Sequence, residues 1–255
     1  QEITHLGTAV EANAIEGDEH QRRSYPDAGG GWGAGGYELI RSLNLAGNAE
    51  RLAEEAVALL SAPQCPSGLT TVILDPSQLY NQVHESCGHP TELDRVFGTE
   101  ASYAGTSFLT TDKLDEGFRY GSDLVTIVAD ATSPGGMGTF GWDDEGVVAQ
   151  SAPLVQNGVL VGYQTSRETA PRIGRASGGA MRADGWNRIP LIRMTNINLL
   201  PVDGMSLDDI VADTDDGLYL TTNRSWSIDD RRLNFQFATE VAYEIKGGKL
   251  GRLFK

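Results

Sequence analysis

The hexapeptide His84-Glu85-Ser86-Cys87-Gly88-His89 limits what this chain can fold into more than any other stretch. It has the form H-E-x-x-x-H, one residue longer than the H-E-x-x-H of common zinc peptidases. On a regular α-helix a residue at i+4 lies about 40° round the axis from the first, and one at i+5 about 140° round. Two histidines five apart therefore face one point only if the helix widens or unwinds. Gly88, followed by Pro90, marks the place, and a local break is predicted at residues 87–89.

The flanking sequence puts this motif on a helix. Residues 69–74 (Leu-Thr-Thr-Val-Ile-Leu) are strongly β-prone, and Asp75-Pro76 offers an acidic N-cap with proline at the first helical position. A helix is predicted over 76–88, ending by Pro90. Upstream, residues 1–25 read as strands with a turn at Glu16-Gly17-Asp18, and the glycine-rich run 29–36 reads as a flexible loop. A helical pattern follows through Leu39, Ile40 and Leu43. It resumes after Gly47 with Leu52, Ala56, Leu59 and Leu60, and ends at Pro63 and Pro66. From about residue 95 onward, short β-type runs dominate. One helix is expected over 206–212, capped by Ser206 with Asp208 and Asp209 in its first turn. The fold class is α+β: a helix-bearing N-terminal segment over 1–62, then a β-rich domain over 63–255 that carries the motif helix.

Neutral imidazole is a good zinc ligand, and catalytic zinc keeps three protein ligands and one open position. His84 and His89 supply two. A metal lowers the pKa of bound water from 15.7 to about 7, and a carboxylate beside a ligand can take that proton, which assigns Glu85 as general base. Chance is a poor explanation, because two of the chain's four histidines fall in this hexapeptide. Zinc is the expected metal, although other first-row ions accept the same donors. Other motifs weigh less. Residues 31–36 satisfy G-x-G-x-x-G without a strand leading in, Asp143-Asp144-Glu145-Gly146 lacks EF-hand spacing, and Cys87 reads as a small buried side chain.

With 35 acidic residues against 20 basic ones, the net charge of −15 repels nucleic acid and anionic lipid, so neither is expected as a partner. No apolar run approaches the roughly 20 residues of a membrane span, and two cysteines fit a reducing compartment, so a cytoplasmic location is expected. An alternating pattern is already under way at Gln1, which reads as part of a longer protein.

The block His84 to Asp94 resembles the active-site helix of the TldD/PmbA (modulator of DNA gyrase) metallopeptidases. Tyr103-Ala104-Gly105-Thr106-Ser107-Phe108 is similar to the segment that follows it. Residues 143–146 with Gln150, residues 157–163, Arg193-Met194-Thr195-Asn196 and Asp216-Gly217-Leu218-Tyr219 extend the resemblance over nearly the whole chain. The resemblance implies an N-terminal α+β domain and a mainly antiparallel β domain carrying the motif helix. It also implies metal binding at His84 and His89, a general-base role for Glu85, and cleavage of unfolded or leader-type peptides. Members act as homodimers or as heterodimers with a related motif-less subunit. They take a third ligand from a cysteine near the C-terminus, whereas no cysteine follows Cys87 here. Arg193 and Asn196 are candidates to hydrogen-bond substrate or position the site, against the alternative of an arginine satisfied by the acidic surface. The competing readings are a non-catalytic scaffold or partner subunit, and a hydrolase of non-peptide amides.

Overall fold

The N-terminal alternation becomes three strands in the computed structural model, which describes residues 2–202 and 204–255. These are β1 (His5–Thr8), β2 (Val10–Glu16) and β3 (Glu19–Tyr25). The β2–β3 hairpin closes at the predicted turn, with Gly17 at φ 60 in the left-handed region that favours glycine. The glycine-rich run departs from its expected loop: β4 (Gly31–Ala34) pairs antiparallel with β1. Glycines carry no strand signal, but here they allow close approach. A Cβ on Gly7 would overlap the Trp32 ring across the pair.

Helix α1 (Tyr37–Ser42) is followed by α2 (Leu45–Ser61). The break between them falls at Asn44, which holds φ 47, and not at Gly47, which lies inside α2. Asparagine tolerates the left-handed conformation through its short polar side chain. Leu52, Ala56 and Leu59 form the buried face of α2, which packs on the β2–β3 hairpin. Each buried leucine contributes about 1.5–3 kcal/mol.

β5 (Thr71–Leu74) leads into α3 (Pro76–Gln82), a π-helical segment Val83–Gly88 and a 3-10 turn His89–Thr91. Three short helices follow: α4 (Leu93–Val96), α5 (Ala101–Ala104) and α6 (Thr111–Asp115). Each is too short for its apolar residues to show a helical period, so the sequence read this stretch as β-type. Next come β6 (Ile127–Asp130), β7 (Ser151–Gln156), β8 (Val159–Leu160), β9 (Met181–Arg182), β10 (Leu191–Ile192) and β11 (Asn196–Leu199). The chain ends with α7 (Leu207–Ala212), β12 (Asp216–Ile228), β13 (Phe235–Lys246) and β14 (Lys249–Phe254). The predicted cap of α7 is a full capping box, with Ser206 Oγ accepting the Asp209 amide and the Asp209 carboxylate accepting the Ser206 amide.

The fold is α+β with mostly antiparallel sheets. Two compact units emerge. The first comprises Gln1–Asn81, Asp203–Trp226 and Phe237–Lys255, and contains the sheet ordered β14-β13-β12-β5, in which β12 and β5 pair parallel and β13 and β14 antiparallel. The second comprises Gln82–Val202 and Ser227–Gln236, and contains the antiparallel sheet ordered β11-β6-β7-β8. Ile127, Ala129, Leu154 and Val155 of that sheet form an apolar cluster against which Cys87 packs together with Ile197 of β11, which anchors the π-helical segment. Leu93, Leu109, Leu160, Tyr163, Ala180 and Ile192 form a second apolar cluster in the same unit. Among the described residues, no helix is long and apolar enough to cross a membrane.

Candidate metal centre

Asp75 closes β5 and starts the helix that carries the motif. Its carboxylate accepts the Ser77 amide at 2.8 Å and the Ser77 hydroxyl at 2.5 Å, the expected N-cap ahead of Pro76. At Val83 the helix widens to π geometry, in which hydrogen bonds reach five residues back. The amide of His89 accordingly donates to the carbonyl of His84. The predicted break at 87–89 thus takes the form of a widened turn over the whole of Val83–Gly88. Side chains from elsewhere in the unit hold it. The Tyr120 hydroxyl donates to the Ser86 carbonyl at 2.7 Å and reaches Cys87 Sγ at 3.1 Å, while Gln164 Nε2 and Thr91 Oγ1 donate to the Gly88 carbonyl at 3.1 and 2.6 Å.

The widened turn brings the two histidines to one face. Their rings stand perpendicular with centroids 4.8 Å apart, and one ligand atom each from His84, Glu85 and His89 lies within 4.8 Å of the others. His84 is open to solvent. Burial lowers its pKa, His89 adds to that, and Glu85 and Glu92 oppose it, so the net shift favours the neutral imidazole that ligates metals. Two imidazoles and a carboxylate at this separation are a donor set that fits a zinc-class ion.

A buried ion network orients His89. Its Nδ1 lies 2.8 Å from Glu92 Oε2, and its Nε2 faces Glu85 Oε2 at 3.9 Å. Glu92 is fully buried and also accepts from Arg95 Nε and Nη2 at 3.1 and 2.9 Å and from the Met194 amide at 3.2 Å. Burial pushes the Glu92 carboxyl up, but the hydrogen bond and charge of His89, together with Arg95, outweigh it and hold the group below the ordinary carboxylate range. An ionised Glu92 is an acceptor for an Nδ1 proton of His89, the tautomer whose Nε2, on the side of His84 and Glu85, is the ligating nitrogen. Opposite, Arg232 Nε sits 3.9 Å from Glu85 Oε2, and its Nη2 donates to the Ala104 carbonyl at 3.1 Å.

Other predicted residues fall in different roles. Arg193 pairs with the buried Glu100 at 2.8 and 3.1 Å. Asn196 donates to the Asp130 carbonyl and Thr139 Oγ1 and accepts from the Gly138 amide, which braces a loop and leaves one acceptor site on its Oδ1. Asp143 organises its own turn by accepting the amides of Glu145 and Val147. Glu92, Arg95 and Arg232 carried no assigned role in the sequence. The first two were within reach of a rule, since a metal-ligating histidine commonly donates its second nitrogen to a carboxylate, and His89, Glu92 and Arg95 recur every three residues. Arg232 gave no signal.

The sequence profile of the PmbA/TldA metallopeptidase C-terminal domain matches residues 67–255. The chain belongs to the PmbA/TldD metallopeptidase family. A metalloprotease of Methanocaldococcus jannaschii is 37% identical over 225 residues, which cover 88% of this chain and 47% of that relative. The PmbA/TldD fold is shared with a Thermotoga maritima protein described as a modulator of a DNA gyrase (TM-score 0.77, 21% identity, 97% of this chain and 52% of that one). It is shared too with TldE from Thermococcus kodakarensis (TM-score 0.68, 19% identity, 96% and 52%). At these identities the two structures speak for the fold alone. The chain spans about half the length of the PmbA/TldD relatives it matches.

Proposed function

We propose that the protein hydrolyses peptide bonds in unfolded or leader-type peptides, with zinc held by His84 and His89 and with Glu85 as general base. The observation that carries this reading is the hydrogen bond from the His89 amide to the His84 carbonyl, because it turns a spacing of five into one shared face. A bound zinc-class ion supplies polarisation of the scissile carbonyl and a lowered pKa for the attacking water. The remaining work falls to the chain. Glu85 Oε2, close to His89 Nε2, is placed to take the proton of that water and return it to the leaving amine. Glu92 and Arg95 fix the His89 ring, and Arg232 fixes the Glu85 carboxylate from the other side. Arg193, held by Glu100, is a candidate contact to the substrate.

On the same reading residues 1–62 close an N-terminal α+β domain and residues 63–255 form the C-terminal one. The protein works in the cytoplasm as a dimer, with itself or with a related motif-less subunit. The family resemblance supports that pairing, and the fold shared with TldE is compatible with it.

The test combines elemental analysis with hydrolysis of an unfolded protein such as reduced casein. Near-stoichiometric zinc is expected in the wild type and in Glu85→Gln but not in His84→Ala, with turnover in the wild type alone. Loss of metal in Glu85→Gln would make Glu85 a ligand instead of a base. A wild type that takes up no metal would leave the reading of a non-catalytic partner subunit.

A further inference from the structure

A cleft of about 1000 Å³ in the second unit is lined by Tyr103, Arg182, Asp184, Asn187, Arg188 and Arg193, among others. Three arginines converge there although the chain as a whole carries a net charge of −15. They differ in their state. Arg193 is neutralised by Glu100, and Arg188 is exposed. Arg182, on β9, is half-buried, and among the described residues no hydrogen bond or ion pair engages its guanidinium. Its Nε is closed off from solvent with no acceptor. Burial pulls the Arg182 pKa down and Arg193 adds to this, with Glu92 and Asp144 opposing. Arginine stays protonated nonetheless, so a cation is held partly out of water without the anion that would normally accompany it.

Two residues of the cleft lining are chain neighbours of groups that bond the network around the metal centre. Arg193 precedes Met194, whose amide binds Glu92, and Tyr103 precedes Ala104, whose carbonyl receives both Arg95 and Arg232. We propose that this cleft is a substrate subsite in which Arg182, assisted by Arg188, binds a carboxylate of the peptide. A guanidinium fork matches the two oxygens of a carboxylate, and exposed Tyr103 offers a flat apolar surface for the chain next to it. Asp184 in the same lining opposes a dianion such as phosphate more than a carboxylate monoanion. A peptide offers that group from two sources, an Asp or Glu side chain or its own C-terminus.

The subsite rests on the peptidase reading, and its test is one of binding. Calorimetry on the Glu85→Gln protein compares one apolar peptide in three forms: amidated without an acid, amidated with one Asp, and with a free C-terminal carboxylate. At least one carboxylate form is expected to bind about tenfold tighter than the neutral one, and which form does so identifies the source. The preference should fall below about twofold in Arg182→Gln, survive in part in Arg182→Lys, and weaken in Arg188→Gln, whose exposed position leaves folding intact. Equal affinities for all three peptides in the parent protein overturn the subsite, as does an undiminished preference in the folded Arg182→Gln or Arg188→Gln proteins. A carboxylate preference without hydrolysis by the wild type would sink the peptidase reading alone. Hydrolysis without preference would sink the subsite alone.

Discussion

The amide of His89 donates to the carbonyl of His84, five residues earlier, and the two imidazoles stand perpendicular at 4.8 Å as a result. Gly88 makes this turn possible, because a Cβ there would overlap Met194 Sδ and press on Ile197. Gly88→Ala is expected to destabilise the protein by about 1–3 kcal/mol, with the flexible Met194 side chain limiting the cost. Urea unfolding reads the stability and zinc titration the site. Unchanged zinc affinity would show that the histidines converge without the widened turn.

Glu92 joins four donors around one buried carboxylate. Glu92→Gln presents an NH2 group to donors and frees the His89 ring to turn. Zinc affinity should fall about 10–100-fold. Competition against a chromophoric chelator measures it, and an affinity within twofold of wild type would remove Glu92 from the site.

Arg23 is nearly fully buried between Glu55 and Glu240, at 2.8 Å from each. Burial pushes the Glu55 carboxyl up, but the hydrogen bonds and charge of Arg23 and Arg51 outweigh it, so the folded pKa lies below the ordinary value. The unfolded chain therefore takes up this proton at a higher pH than the native protein. The stability that Glu55 contributes is complete above its unfolded pKa, about 4.3, and is lost as the pH falls through the lower folded value. Glu55→Gln should flatten the acid limb of a stability profile. Arg23→Met, which leaves Glu55 to Arg51 and the buried Glu240 to Arg22 and Ser24, should cost about 3 kcal/mol at neutral pH.

Cys65 is exposed and Cys87 is half-buried against the sheet. Burial pushes the Cys87 thiol up, with the Tyr120 hydroxyl opposing. Iodoacetamide should label Cys65 first and reach Cys87 only on unfolding, as followed by mass spectrometry. Equal rates would mean that the π-helical segment opens readily.

What could be read in the residues depended on range. Asp75-Pro76, Ser206 and the H-E-x-x-x-H spacing act within a turn or two of helix, and the sequence states them almost directly. The misfit of a five-residue spacing even gave the distortion, though not its full extent over Val83–Gly88. Pairing at a distance left weaker marks. The strand at Gly31–Ala34 exists because β1 offers an edge, and the short helices α4 and α6 are set by packing around Leu93 and Leu109. Asn196 illustrates the limit: its neighbours in sequence suggest a site residue, whereas its three hydrogen bonds to Asp130, Gly138 and Thr139 are visible only in the fold.

Arg232 hydrogen-bonds the carbonyl of Ala104 from 128 positions downstream. At about 5–20 residues per second, a ribosome needs on the order of ten seconds to cover that distance. The histidines and Glu85 therefore emerge well before the arginine that faces them, and the site is completed only when the segment between β12 and β13 has been made. For the proposed peptidase activity this order has a protective effect: while the nearest unfolded chain is its own, Glu85 still lacks the arginine that faces it.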